Sequence, residues 1–136
     1  MKINVIFLKG GVSAMIGALA YLLGGWDNGI EALCIMVVAD YATGLMKAII
    51  NKNLSSYIGF RGIFKKVCIF ILVAVAVQIE KITNQNDTLH NYVAYCLIVN
   101  EGISILENAA EMGVPIPDVL KNLLKKMRSV EKKAVS

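Results

Sequence analysis

An all-α integral membrane helical bundle is the fold that this sequence predicts, with three to four transmembrane helices and a C-terminal basic amphipathic helix. Three observations predict it. The 136 residues are 57% hydrophobic and only 18% charged, against about 45–50% and about 25% in soluble domains. The apolar residues gather into runs of the length that crosses a bilayer, about 20 residues each. The basic residues lie between and after those runs, as they do on a cytoplasmic membrane face. The net charge of +4 and pI near 9.0 therefore point to membrane lipid as a partner rather than to nucleic acid. A soluble domain of this size lacks the volume to bury so much apolar surface.

A transmembrane domain is expected over 1–112, with spans near 6–26, 30–50, 63–82 and 90–112, followed by a cytoplasmic tail over 113–136. In the first span only Asn4, Lys9, Ser13 and Tyr21 interrupt an apolar and small-residue run from Ile3 to Trp26. Lys2 ahead of it and Ala18-Leu19-Ala20 within it also give it some likeness to a secretory signal. Gly10, Ala14 and Ala18 recur at spacing four, with Ser13 and Gly17 beside them. Small faces of this kind let transmembrane helices approach closely. Trp26 belongs at headgroup level, and Asp27, Asn28 and the flanking glycines supply turn chemistry.

The second span carries Asp40 near its centre, where a charge costs roughly 2.5–3.5 kcal/mol on insertion scales. Thr43, Gly44 and Lys47 follow at i+3, i+4 and i+7, on the same helical face. That face is expected to meet protein or water and to take part in assembly. Leu54 to Gly62 reads as a short loop with Tyr57 and Phe60 as interfacial anchors. Arg61, Lys65 and Lys66 are expected at the membrane surface, the two lysines by snorkelling. The third span has no charged residue from Val67 to Val77, and Thr83 to Thr88 is polar and loop-like.

From His90 to Met112 the pattern changes. Asn100, Glu101, Ser104, Glu107, Asn108 and Glu111 fall on one face at about 3.6 residues per turn, and apolar residues cover the rest. Lipid-binding surface helices usually carry Lys and Arg, so this acidic helix is read as a span. Its first five polar residues are candidates to line a lumen. Gly113 stops the helix, and Pro115 and Pro117 impose an extended link. The last helix sets Val119, Leu120, Leu123, Leu124 and Met127 on one face, with Lys121, Lys125, Lys126 and Arg128 on the others. That pattern suits contact with a lipid surface.

The distribution of Lys and Arg orients the chain. Lys47, Lys52, Arg61, Lys65 and Lys66 crowd the second connection, and the tail is basic throughout. The first connection has only Asp27 and the nearby Glu31, and the third sets Lys81 against Glu80 and Asp87. Four spans with both termini in the cytoplasm satisfy every segment. Three spans would place the basic tail opposite the basic connection.

Cys34, Cys68 and Cys96 each lie in an apolar run without a C-x-x-C pair, and are expected to be buried thiols without redox or metal roles. His90 has no metal-ligand spacing around it. The sequence carries no Gly-rich phosphate loop, nucleophile–base pair or metal cluster. Neither an enzyme nor a cofactor is expected.

Asp40, Thr43, Gly44, Ala48, Leu54-Ser55-Ser56, Gly59, Gly62 and Lys65-Lys66, continued by Glu101, Ser104-Ile105-Leu106-Glu107-Asn108 and Gly113-Val114-Pro115-Ile116-Pro117, resemble the phage lysis and toxin-secretion holin family of Gram-positive bacteria and their phages. The likeness covers nearly the whole chain, and the Ser-Ile-Leu-Glu-Asn and Gly-Val-Pro-Ile-Pro blocks are its most specific part. The resemblance implies a homo-oligomer in the bacterial cytoplasmic membrane that clusters at a set time and opens lesions. Endolysin, or a large toxin, then leaves the cytoplasm without necessary direct contact, and the proton-motive force collapses. Members are commonly described with three spans, whereas the charge distribution here favours four. Two rivals remain: a small proton-coupled transporter or channel acting as a homo-oligomer, and a structural helper that only binds other membrane proteins. The broad acidic stripe and the lysine-rich tail have no evident place in transport.

Overall fold

The computed structural model describes residues 2–86 and 88–135, with side chains for 4–86, 88–130, 132 and 133. Asp87 and the side chain of Lys2 thus lie outside the described residues. Five helices follow one another: α1 (Lys2–Leu22), α2 (Asn28–Ile50), α3 (Ser56–Thr83), α4 (Leu89–Glu111) and α5 (Asp118–Val135). Among them, α1, α2 and α3 are long and apolar enough to cross a membrane.

The helix ends follow local chemistry. Asp27 caps α2 by accepting a bond from the Ile30 amide at 2.8 Å. Ser55 caps α3 by accepting from the Ile58 amide at 3.2 Å. Asn84 closes α3 in the left-handed conformation, and Gly113 follows α4 with φ of 82°.

The start of α3 corrects the sequence reading. Leu54 to Gly62 is not a loop, because α3 begins at Ser56. Gly62, within that stretch, is a close-approach position: a Cβ there would stand 3.0 Å from the Tyr41 ring. The Tyr41 hydroxyl also donates to the Gly59 carbonyl at 3.4 Å.

Helices α2, α3 and α4 form the bundle, and α4 is its centre. α4 packs along α2, against α3 and under α5. α2 and α4 run parallel, since Asp40 and Thr43 meet Asn108 and, one turn further on, Lys47 meets Glu111. The short links on either side of α3 return it antiparallel to both. Ile30, Leu33 and Val37 of α2, Ile69 and Val73 of α3, Ala94 of α4 and Leu23 form the apolar core. Gly102 lets two neighbours close on α4 at one level. Its absent Cβ would lie 3.0 Å from Met36 of α2 and 3.3 Å from Leu124 of α5.

α1 behaves differently. Every residue from Asn4 to Leu19 is exposed. The predicted packing residues Gly10 and Gly17 have no atom within 4 Å of where a Cβ would stand, and Ala14 and Ala18 are exposed with them. The helix is joined to the bundle at its C-terminal end. There Leu23 enters the core, Gly24 abuts Val77 and His90, and Tyr21 lies under the Lys81 ammonium at 4.3 Å.

α5 folds back across α4. Leu124 and Met127 are half-buried, while Val119 and Leu123 of the same expected face remain exposed. The cysteines also depart from expectation: Cys68 is exposed on α3, and Cys34 and Cys96 are half-buried.

Candidate functional site: an ion cluster inside the bundle

Three helices each send one ionisable side chain to the same point in the core. Asp40 comes from α2, Lys66 from α3 and Glu101 from α4. The Lys66 ammonium donates to Asp40 Oδ2 and to Glu101 Oε2. Asn108, two turns beyond Glu101 on α4, donates to Asp40 Oδ1 at 3.1 Å and to Thr43 Oγ at 3.2 Å. The Thr43 hydroxyl in turn donates to the Asp40 carbonyl at 3.1 Å. A Cβ on Gly44 would lie 3.7 Å from Asn108 Nδ2, an ordinary contact, so Gly44 faces α4 at this level.

The cluster is deep in height as well as in burial. Asp40 and Lys66 each stand ten residues from the helix ends that flank the α2–α3 link, about 15 Å at 1.5 Å per residue. That is half of a hydrocarbon core about 30 Å thick. Charges at such a depth persist when each finds a partner. An open cleft of about 240 Å³ reaches Asp40 and Lys66 and is also lined by Lys65, Ser104 and Asn108.

Lys66 is therefore a correction. It was expected to snorkel to the membrane surface beside Lys65, but only Lys65 is exposed. With α3 starting at Ser56, Lys66 stands three turns inside the helix and its side chain turns to the core. Arg61, Lys125, Lys126 and Arg128 are exposed, and Lys121 is half-buried. Lys47 reaches Glu111 at 3.4 Å instead of Asp40.

The polar stripe of α4 is divided. Glu101 and Asn108 are buried and Ser104 is half-buried, all on the side of α2 and α3. Asn100 and Glu107 are exposed on the other edge. The stripe is some 120° wide at 100° per residue, too broad for one interface to cover. α5 borders the exposed edge. Arg128 and Lys132 share a groove with Asn100, and Lys121, Lys125 and Arg128 share one with Glu107.

A second polar pair closes the opposite end of the bundle. Glu80 accepts from the His90 amide at 2.8 Å, and its other oxygen lies 2.7 Å from His90 Nδ1. Both residues are buried. The sequence reading gave them no role. The available signal was the hairpin itself: Glu80 ends one helix and His90 starts the next across a short polar link.

The sequence profile of the bacteriophage holin family matches residues 17–129. An uncharacterised 14.9 kDa protein of Clostridium perfringens is 38% identical over 128 residues, covering 93% of this chain and 97% of its own. An uncharacterised protein of Listeria innocua is 43% identical over 119 residues, covering 88% and 85%. A probable holin of Bacillus phage phi105 is 36% identical over 107 residues, covering 79% and 78%. No solved structure matches. With α2, α3 and α4 and their shared ion cluster wholly inside the matched region, this membrane protein belongs to the bacteriophage holin family.

Proposed function

We propose that the chain is a lytic holin. It crosses the bacterial cytoplasmic membrane four times with both termini in the cytoplasm, assembles with copies of itself, and opens timed lesions that release an endolysin or a large toxin. The observation that carries this reading is the division of the α4 stripe. The inner edge is paired within one chain except at one oxygen of Glu101, whereas Asn100 and Glu107 on the outer edge face outward. Unpaired polar groups in hydrocarbon cost several kcal/mol. A second copy of α4, or a wet lumen, removes that cost.

The fourth crossing is supported by height. α4 has 23 residues, about 34 Å at 1.5 Å per residue. It runs beside α2 and α3 from the Glu80–His90 pair at one end to the Lys47–Glu111 pair at the other. If α2 and α3 cross, α4 crosses with them.

α5 then has two places to lie. Docked on α4 it reaches the level of Gly102 and Asn100, close to mid-height. Its Lys and Arg residues would each cost roughly 2.5–3.5 kcal/mol in hydrocarbon. On the cytoplasmic surface they gain instead about 1 kcal/mol each from anionic lipid. Full insertion of α4 therefore goes with release of α5 to the lipid surface, where Val119, Leu123 and Val130 can enter the interface. The timed step is the exchange of partners on the outer edge of α4: α5, then another copy, then water. Each exchange involves modest differences in free energy, as a switch between two populations requires.

Co-expression with a cytoplasmic endolysin tests the reading. Abrupt lysis at a reproducible time is the expected result. Growth without lysis, with ion-dependent phenotypes, would favour a small proton-coupled transporter or channel, for which a buried mid-height ion cluster is also suitable. Topology is tested separately with single cysteines and a membrane-impermeant thiol label. A residue placed at Lys132 should react only after permeabilisation, and one at Asn28 without it.

A further inference from the structure

The ion cluster does not balance. Asp40 and Glu101 bring two carboxylates and Lys66 one ammonium, and the three residues are 7%, 0% and 9% exposed. Asp40 has a donor on each oxygen, Lys66 on Oδ2 and Asn108 on Oδ1. Glu101 has one: Oε2 accepts from Lys66, while Oε1 is buried with no hydrogen-bond partner among the described residues.

Neighbouring charges do not make up the difference. On α2, Lys47 is taken by Glu111 near the helix end. On α3, Lys65 lines the cleft beside the cluster, but it is exposed to water and makes no ion pair with either carboxylate. On α4, Glu107 is exposed on the far edge. The basic residues of α5 border that same far edge, with Lys121, Lys125 and Arg128 in the groove beside Glu107. If both carboxylates were ionised, the core would hold one uncompensated negative charge with an undonated oxygen. Like charges that share a buried site do not both ionise, and an unpaired buried charge is far costlier than an unpaired neutral hydroxyl.

We propose that the Asp40–Lys66–Glu101 cluster is a proton-binding site, with one exchangeable proton carried on Glu101 Oε1. Asp40 remains the carboxylate, because Lys66 and Asn108 satisfy both of its oxygens. Binding forms the O–H bond from a proton delivered by water, and the cluster becomes neutral. Release breaks that bond, leaves the electron pair on the carboxylate and returns the proton to water, which the cleft admits as far as the partners Asp40 and Lys66. No electron changes hands. The protonated cluster holds α2, α3 and α4 together, and the deprotonated one draws water into the bundle between them.

Infrared difference spectroscopy of the full chain in liposomes tests this without using lysis as a readout. The expected result is the carbonyl band of a protonated carboxyl at neutral pH, lost on alkalinisation. Carboxyl-13C glutamate should shift the band and carboxyl-13C aspartate should leave it in place. The band should be absent in Glu101→Gln and present in Glu80→Gln. Absence of the band in the wild-type chain, a shift with labelled aspartate, or loss in Glu80→Gln with retention in Glu101→Gln would overturn the assignment. The isotope arm uses the wild-type chain, so the test stands even if a variant fails to insert. A chain that shows the band but never lyses cells would reject the lytic role and leave the proton site in place.

Discussion

α1 and α2 are neighbouring helices of nearly equal length, 21 and 23 residues, and both are apolar enough to cross a membrane. Yet α2 buries Ile30, Leu33, Val37, Asp40 and Ala48, whereas α1 from Asn4 to Leu19 touches nothing that hides it. Apolarity does not separate them. In lipid it cannot, because acyl chains are as apolar as leucine and give helices no hydrophobic reason to associate. What α2 has is a buried stripe that includes a carboxylate with partners on two other helices. α1 offers Asn4, Lys9, Ser13 and small residues, and among the described residues no side chain of the bundle covers them. The match to the family profile, which starts at residue 17, likewise leaves out most of α1 and takes in the bundle. Hydropathy puts a helix into the membrane, and polar pairing with close-approach glycines puts it against another helix.

That contrast breaks most readily at Lys66. Lys66→Met leaves Asp40 and Glu101 without their shared cation, a loss of about 3–5 kcal/mol for a broken buried pair. Thermal unfolding in detergent should show it, together with lower steady-state levels in the membrane. Combining it with Asp40→Asn and Glu101→Gln removes both ionisable carboxyls and should restore most of the loss. A triple variant no better than Lys66→Met would mean that packing around Lys66, not charge, holds the helices. Asp40→Asn alone keeps a polar group opposite Lys66 and Asn108 and should shift lysis timing less than Asp40→Leu. Timing identical to wild type in both would remove Asp40 from the assembly mechanism.

The other end of the bundle is a milder test. Glu80→Ala strips the His90 amide and ring of their acceptor, worth about 1.5–3 kcal/mol for bonds to a charged group. The same melting assay reads it. Because Gly24 packs on His90, the variant should also loosen the joint of α1, visible as faster labelling of a cysteine placed at Gly25.

Truncation after Pro117 is expected to leave α1–α4 inserted and lytic, since among the described residues α5 supplies none of the bundle's fully buried side chains. The trigger time should shift, because the outer edge of α4 loses its basic neighbour. A stably inserted truncation that never lyses would place α5 in the lesion itself.

The smallest expected effect on the isolated chain comes from α1. Gly10→Leu and Ala14→Leu meet open space and should change bundle stability by no more than about 0.5 kcal/mol, as for surface positions generally. Their effect belongs to assembly, read as a change in crosslinked oligomers in membranes. Oligomers indistinguishable from wild type would show that the small face of α1 serves lipid alone.

Much of this was legible in one dimension. Periodicity and hydropathy located the helices, Asp27 and Gly113 marked ends, and Asp40 and Asn108 announced themselves as polar residues that lipid cannot accept. The misreadings have a common cause. Ser55, Gly59 and Gly62 carry the same local signal in a turn as in a capped helix with glycines under a tyrosine. Lys66 looks like its neighbour Lys65 until the rotation of α3 is known, and one residue is a 100° turn.

The sequence by itself determined that the chain is helical, that at least three helices are long and apolar enough to cross a bilayer, and that some polar groups inside them need partners. These follow from neighbours within a turn or two and from the solvent each residue tolerates. Only the tertiary structure decided which partners they take. Lys66 lies 26 residues from Asp40 and 35 from Glu101, and the three meet only if α2, α3 and α4 have one relative height and one rotation each. The glycines that admit neighbouring side chains, and the apolar contacts of the core, set those values. A single sequence states the charges, and the packing assigns them to one another.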